Sequence, residues 1–197
     1  MGVPQKTRRN VRRLRELLVG RKTMLIAMQD HPDPDAVAAA GALRAIANSV
    51  GGIACSLAHG GIIGRAENRA LVRYLGLNLR PLEALAAERF DLVALVDTQP
   101  GTGNNSLAPH AKVDIIFDHH ATRPASVSAP FRDIRRRYGA TSTILYEYMQ
   151  ALGVAVDAPL ATALCYGIRS DTQDLERDTT QADVDAYLAL YPLANKR

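Results

Sequence analysis

Tryptophan is absent from the 197 residues, and aromatic side chains make up only 5% of them. Large rings therefore cannot dominate a core, which Leu, Ile, Val and Ala must fill instead. The two cysteines, Cys55 and Cys165, are too few for a disulfide framework or an all-sulfur zinc site. They read as small buried residues of a reducing compartment. No apolar run approaches the roughly 20 residues of a membrane span. The opening MGVPQKTRRN lacks the apolar stretch of a secretory signal, so a cytoplasmic address with no membrane attachment is expected. What remains is ordinary globular material, 47% apolar and 22% charged, long enough for one α/β domain with a real core.

The net charge is +4, and its distribution is uneven. Lys6, Arg8, Arg9, Arg12, Arg13 and Arg15 crowd the first fifteen residues. They fit the solvated face of a helix whose other side is Val11, Leu14, Leu17 and Leu18. A second cluster, Arg132, Arg135, Arg136 and Arg137, falls in an expected loop, where a solvated surface and a phosphate contact are both open readings.

Short apolar runs alternate with helical patterns. A helix over about 7–19 precedes the strand MLIAM (24–28), and a helix from Asp35 ends at Gly51-Gly52. The strand IACSL (53–57) leads to a helix from Arg65 to Leu75, and LEALAAE (82–88) reads as a short helix before the strand DLVALV (91–96). After the turn-rich QPGTGNNS comes the strand VDIIF (113–117), then helices over 141–152, 159–169 and 181–191. This alternation predicts an α/β fold: a doubly wound, mostly parallel sheet flanked by helices on both faces.

Three of the apolar runs open into polar, largely acidic segments. MLIAM gives way to Gln29-Asp30-His31-Pro32-Asp33-Pro34-Asp35, DLVALV ends in Asp97, and VDIIF ends in Asp118-His119-His120. In an open parallel sheet those ends share one crevice. A lone Asp there is a common helix N-cap, and DPD alone fits a surface turn. Several carboxylates packed in one cleft repel one another and are costly to desolvate, so they need cations. Carboxylate oxygens with imidazole nitrogens suit Mn²⁺, Mg²⁺ or Fe²⁺. The prolines before Asp33 and Asp35 stiffen the ligand loop.

Four segments in order, HPDPDAVAAA (31–40), LVALVDTQ (92–99), IIFDHHATRP (115–124) and YGIRSDTQDL (166–175), resemble the DHH superfamily of phosphoesterases. The resemblance implies metal-assisted hydrolysis at phosphorus with two Mn²⁺ ions. Asp33 would serve one metal and Asp35 the other, Asp97 would bridge them, and His119 with Asp171 would complete the second site. His120 would face the scissile phosphate, and Asp118 would orient a histidine. The family's usual first His stands four residues before the first Asp, which here is Gln29. Either Gln29 points at the first site or His31 completes it in a shifted loop. Arg123 and Arg169 are candidate phosphate contacts.

The resemblance also implies three parts of the chain: a basic helix packed on the domain (1–22), the catalytic domain (23–180), and a helix (181–197) beginning the linker to a second, DHH-associated domain whose sequence does not follow. The expected partners are a nucleotide or short single-stranded nucleic acid substrate, with a homodimer compatible. Hydrolysis of short oligonucleotides, linear dinucleotides or pAp is the leading reading. A non-catalytic nucleotide- or metal-binding module is the alternative that Gln29 and the missing lid would support. A pyrophosphatase or exopolyphosphatase would use the same chemistry.

Overall fold

Apolar runs that leave no polar alternate face must lie between two covering layers. In the computed structural model, which describes residues 2–196, three such runs lie centrally in one sheet of six strands. The strands are β1 (Thr23–Ala27), β2 (Ala54–His59), β3 (Leu79–Pro81), β4 (Leu92–Val96), β5 (Ile115–Asp118) and β6 (Phe131–Ile134). The order is β3-β2-β1-β4-β5-β6, and every neighbouring pair is parallel. The chain winds outward from β1 through β2 to β3, then returns to β4 on the other side of β1. The β1/β4 junction is thus the point where the winding reverses.

The α-helices are α1 (Gln5–Leu18), α2 (Pro34–Gly51), α3 (Ala66–Tyr74), α4 (Thr141–Leu152), α5 (Ala158–Asp171) and α6 (Gln181–Leu190). Their apolar residues, among them Leu14, Val37, Leu43, Ile144, Leu145, Leu164 and Leu190, form one core with Met24, Ile26, Ala94, Val96, Ile115 and Phe117 of the sheet. On the other face Leu25, Ala27, Leu95 and Ile116 pack beneath Leu82, Leu85, Leu107 and Ala129. That second layer consists of loops and two 3-10 turns, Leu82–Leu85, within the short helix expected over 82–88, and Pro124–Ser128. The Gly, Pro and Asn content of residues 99–112 explains the thin layer, since those residues break helices. β3 and β6 had no clear signature: one is three residues long, and the other carries Arg132 and Asp133 within four.

α2 places the first acidic segment. Asp33 caps it by accepting from the Ala36 amide at 2.9 Å, Pro34 takes the first turn, and Gly52 ends it with φ of 64°. The alanine-rich body, Ala36 to Ala40, lets other helices come close. α5 does so at Gly167, where a Cβ would meet Ser142 Oγ at 2.7 Å and the Asp35 Cα at 3.1 Å. α6 packs on α4 and α5, burying Ala186 and Leu190. Among the described residues no helix is long and apolar enough to cross a membrane.

The basic segment after the DHH triplet divides. Arg135 is buried, and its guanidinium meets Asp133 at 2.7 Å and Glu147 at 2.6 Å, so it is not available as a phosphate contact. Thr7 of α1, Tyr148 and Tyr138 share the same carboxylates, and Lys6 reaches Asp133 at 2.7 Å. Replacing Arg135 strands two buried carboxylates. Arg135→Met should therefore lower unfolding free energy by about 3–5 kcal/mol in urea titration. A loss below about 1 kcal/mol would show that solvent screens the network.

Candidate metal centre

Asp97 follows β4 directly, and its backbone takes the left-handed conformation, φ 58°, while its amide stays bonded to Phe117 O at 2.9 Å. A non-glycine residue held there costs about 1–3 kcal/mol, which the surrounding structure must offset. The turn aims a fully buried carboxylate at the sheet's C-terminal crevice. Its Oδ1 accepts from Thr141 Oγ1 at 2.9 Å, and its Oδ2 has no hydrogen-bond partner among the described residues.

Asp35, in the first turn of α2, is also fully buried. Its two oxygens accept from the Thr141 and Ser142 amides at 2.7 and 2.8 Å. These are the first N–H groups of α4, so a helix N-terminus braces the anion. His119 fixes its ring by an Nδ1 contact to Tyr138 O at 3.1 Å. Its Nε2 then stands 3.2 Å from Asp171 Oδ2 and 3.5 Å from Asp97 Oδ1, without hydrogen-bond geometry to either. Asp171 arrives at the end of α5, one turn beyond Gly167.

Ligand atoms of Asp35, Asp97, His119 and Asp171 all lie within 4.8 Å of one another, and those of Asp97, His119 and His120 do likewise. Two buried polar atoms without partners, Asp97 Oδ2 and His119 Nε2, point into a set of hard oxygens and one imidazole. That donor set fits a divalent cation of the Mn²⁺, Mg²⁺ or Fe²⁺ kind.

Electrostatics agree. Burial and the charge of Asp171 raise the Asp35 carboxyl to about 6. Burial and the charges of Asp35 and Asp33 raise Asp97 well above the usual range. Burial raises Asp33 and Asp171 as well. Burial opposes charge on His119, but the Asp171 contact and the Asp35 charge prevail and lift it to about 9.

Asp118, buried at the end of β5, accepts from Gln99 Nε2 at 2.5 Å and meets His120 Nδ1 at 2.8 Å. Despite burial, those contacts and the charge of His120 hold its carboxyl below the usual range. It orients His120 and stands outside both ligand sets. Asp33 turns one oxygen to its cap and receives Gln29 Nε2 on the other at 2.8 Å. Gln29 thus faces the centre through its amide nitrogen, while its carbonyl oxygen accepts from Asn104.

His31, with φ of 57°, is exposed and meets the Ile62 backbone at 3.1 Å, so it stands apart from the ligand sets. Arg169 is ion-paired with Asp174 on the outer side of α5. Two residues on a helix diverge by roughly 200°, so Arg169 and Asp171 cannot serve one site. Arg123 is exposed, and its backbone is tied in, the amide donating to Gln99 Oε1 and the carbonyl accepting from Ser126 N. Thr141 and Ser142, which position Asp35 and Asp97, carry no sequence signal beyond a helix start. Gln99 likewise reads as an ordinary turn residue.

With pKa values raised by folding, the four carboxyls favour the metal-free fold only while protonated. That contribution is complete below the ordinary 3.8 and is lost as pH climbs through the folded values, about 6 for Asp35. Ligand carboxylates must be ionised to hold a cation. Thermal stabilisation by added Mn²⁺ should therefore be larger at about pH 8 than at about pH 5, and Asp97→Asn should raise the melting temperature in chelator while shrinking the Mn²⁺ effect. An Mn²⁺ effect that is the same at both pH values would contradict this centre.

A family model for the DHH family, N-terminal domain, matches residues 23–168. The protein MJ1633 of Methanocaldococcus jannaschii is 37% identical over 170 residues, 85% of this chain and 34% of its own. The "Probable manganese-dependent inorganic pyrophosphatase" of Streptococcus agalactiae is 27% identical over 160 residues, 81% of this chain and 51% of its own. The chain thus spans about half or less of the length of these relatives. The fold matches the crystal structure of an exopolyphosphatase-related protein from Bacteroides fragilis, with TM-score 0.70 and 12% identity over 92% of this chain and 55% of that one. It also matches RecJ in complex with Mn²⁺ from Thermus thermophilus, with TM-score 0.52 and 17% identity over 98% and 28%. The matched span includes Asp33, Asp35, Asp97 and the Asp118-His119-His120 triplet, and the chain belongs to the DHH family.

Proposed function

We propose that this chain is a divalent-cation-dependent phosphoesterase that hydrolyses short oligonucleotides or small nucleotides such as linear dinucleotides and pAp. The observation that carries the reading is the convergence of Asp35, Asp97, His119 and Asp171 around unpartnered buried ligand atoms, beside an open cleft that His119, His120 and Asp171 line. These four residues, with Asp33, would hold two ions, manganese by preference given the relative's name. Cations bound there supply Lewis acidity, lowering the pKa of water from 15.7 towards about 7 and offsetting charge on phosphoryl oxygens.

The chain's own residues do the rest. Asp118 takes His120 Nδ1, so Nε2 is left for the cleft, where it can contact the scissile phosphate or give a proton to the leaving oxygen. The α4 amides keep Asp35 aimed, and Thr141 Oγ1 keeps Asp97 aimed. A phosphoanhydride substrate is the second reading, favoured by the pyrophosphatase relative. The Gln29 amide nitrogen on Asp33 supports a third, a nucleotide-binding module with little turnover.

With Mn²⁺, pApA and a short RNA oligomer should release mononucleotide, and Asp97→Ala should slow release by about 10²-fold or more. Equal rates in the two proteins, or activity surviving a chelator, would refute hydrolysis at this centre. Faster turnover of pyrophosphate than of pApA would move the reading to phosphoanhydrides. Mn²⁺-dependent nucleotide binding without turnover would favour the module.

A further inference from the structure

A cleft of about 680 Å³ is lined by His119, His120 and Asp171 of the centre and, beyond them, by the segments 136–139 and 177–180. One wall is the tight turn Arg135–Tyr138, closed by Tyr138 N donating to Arg135 O at 2.9 Å. The two middle positions of that turn are Arg136 and Arg137. Both line the cleft, both are exposed, and among the described residues neither has a hydrogen bond or an ion pair. Their basic neighbours differ. Arg135 is buried among carboxylates, Arg132 donates to Val127 O, and Arg177 on the far wall is paired with Asp178. Two adjacent guanidinium groups are therefore free, in a chain with 20 acidic side chains, and they face the proposed reaction site.

The turn that bears them is fixed at its base. Arg135 donates to Glu147 at 2.6 Å, the Tyr138 hydroxyl donates to the same carboxylate at 2.8 Å, and Tyr138 O orients His119 at 3.1 Å. The backbone that aims a ligand of the metal centre is thus the backbone that presents the two arginines. The cleft therefore joins the carboxylates of the centre to two free guanidinium groups, and its other acidic residue, Asp178, is paired with Arg177. Guanidinium groups match phosphate oxygens bidentately, and anchoring on a rigid turn limits the entropy lost on binding.

We propose that the Arg136-Arg137 turn is the binding site for a second, uncleaved phosphate of the substrate. The proposal rests on the phosphoesterase reading for the identity of its ligand as a substrate. It selects nucleotides that carry two phosphates, meaning 5′-phosphorylated dinucleotides and nucleoside bisphosphates, over those with the scissile phosphate alone.

The test compares wild type with the double variant R136Q/R137Q and with Arg132→Gln, an exposed control outside the cleft. Hydrolysis of pApA and of ApA is measured with Mn²⁺, and equilibrium binding of pAp and AMP is measured in parallel. The double variant should raise KM for pApA and weaken pAp binding by about tenfold or more, leaving ApA and AMP nearly unchanged. Arg132→Gln should change none of these. Unchanged pAp binding in the double variant, or an equal loss for pAp and AMP, overturns the second-phosphate site. Absence of hydrolysis by the wild type would refute the phosphoesterase reading alone, since the pAp-against-AMP comparison still decides the subsite.

Discussion

Five carboxylates, Asp33, Asp35, Asp97, Asp118 and Asp171, are gathered at the C-terminal edge of one parallel sheet, and the fold around them is arranged to tolerate that crowding. Three of them are fully buried. Like charges at this spacing oppose one another wherever water is excluded, so each needs a donor, a proton or a cation. Asp35 has the first amides of α4, Asp118 has Gln99 and His120, and Asp33 has its cap and Gln29. Asp97 has one hydroxyl and an oxygen with no partner, and beside it His119 Nε2 is similarly unsatisfied. Local stability has been given up at the place where a cation would restore it.

The geometry follows from small residues and from the winding of the chain. The sheet is wound both ways from the β1/β4 junction, and the loops after those strands are tied together. Asp30 N donates to Asn104 O at 2.7 Å and Ser106 N to the Asp30 carboxylate at 2.9 Å, so the segments bearing Asp33 and Asp97 are held side by side. Alanines along α2 and Gly167 on α5 let backbones approach until Asp35 and Asp171 share a space. A larger side chain at Gly167 would push α5 away from both.

Much of this was legible in the sequence, for identifiable reasons. Apolar runs such as LVALV and IIF mark buried strands whatever their surroundings, and an Asp or a DHH triplet at the end of such a run is placed by the strand itself. β6 was not legible, because Arg132 and Asp133 disguise a strand whose charges are satisfied across the fold by Lys6, Arg135 and Tyr148. For the same reason a run of four nearby arginines read as uniform, whereas one is core, one caps a backbone carbonyl and two are free. His31 illustrates another limit: a two-residue offset from Asp33 does not reveal a left-handed backbone that swings the ring to Ile62. Arg169 fails by helical phase, which spacing alone would have disclosed.

Helix α4 joins two charge systems usually considered apart. Its first amides and Thr141 hold Asp35 and Asp97, while Glu147, six residues and roughly 9 Å farther along the axis, sits among Arg135, Thr7 and Tyr138. The helix is a strut between them: whatever tightens its first turn also bears on the joint where α1, β6 and the arginine turn meet. One rigid element thus carries the braces of the acidic crevice at its start and the brace of the arginine turn midway along its length.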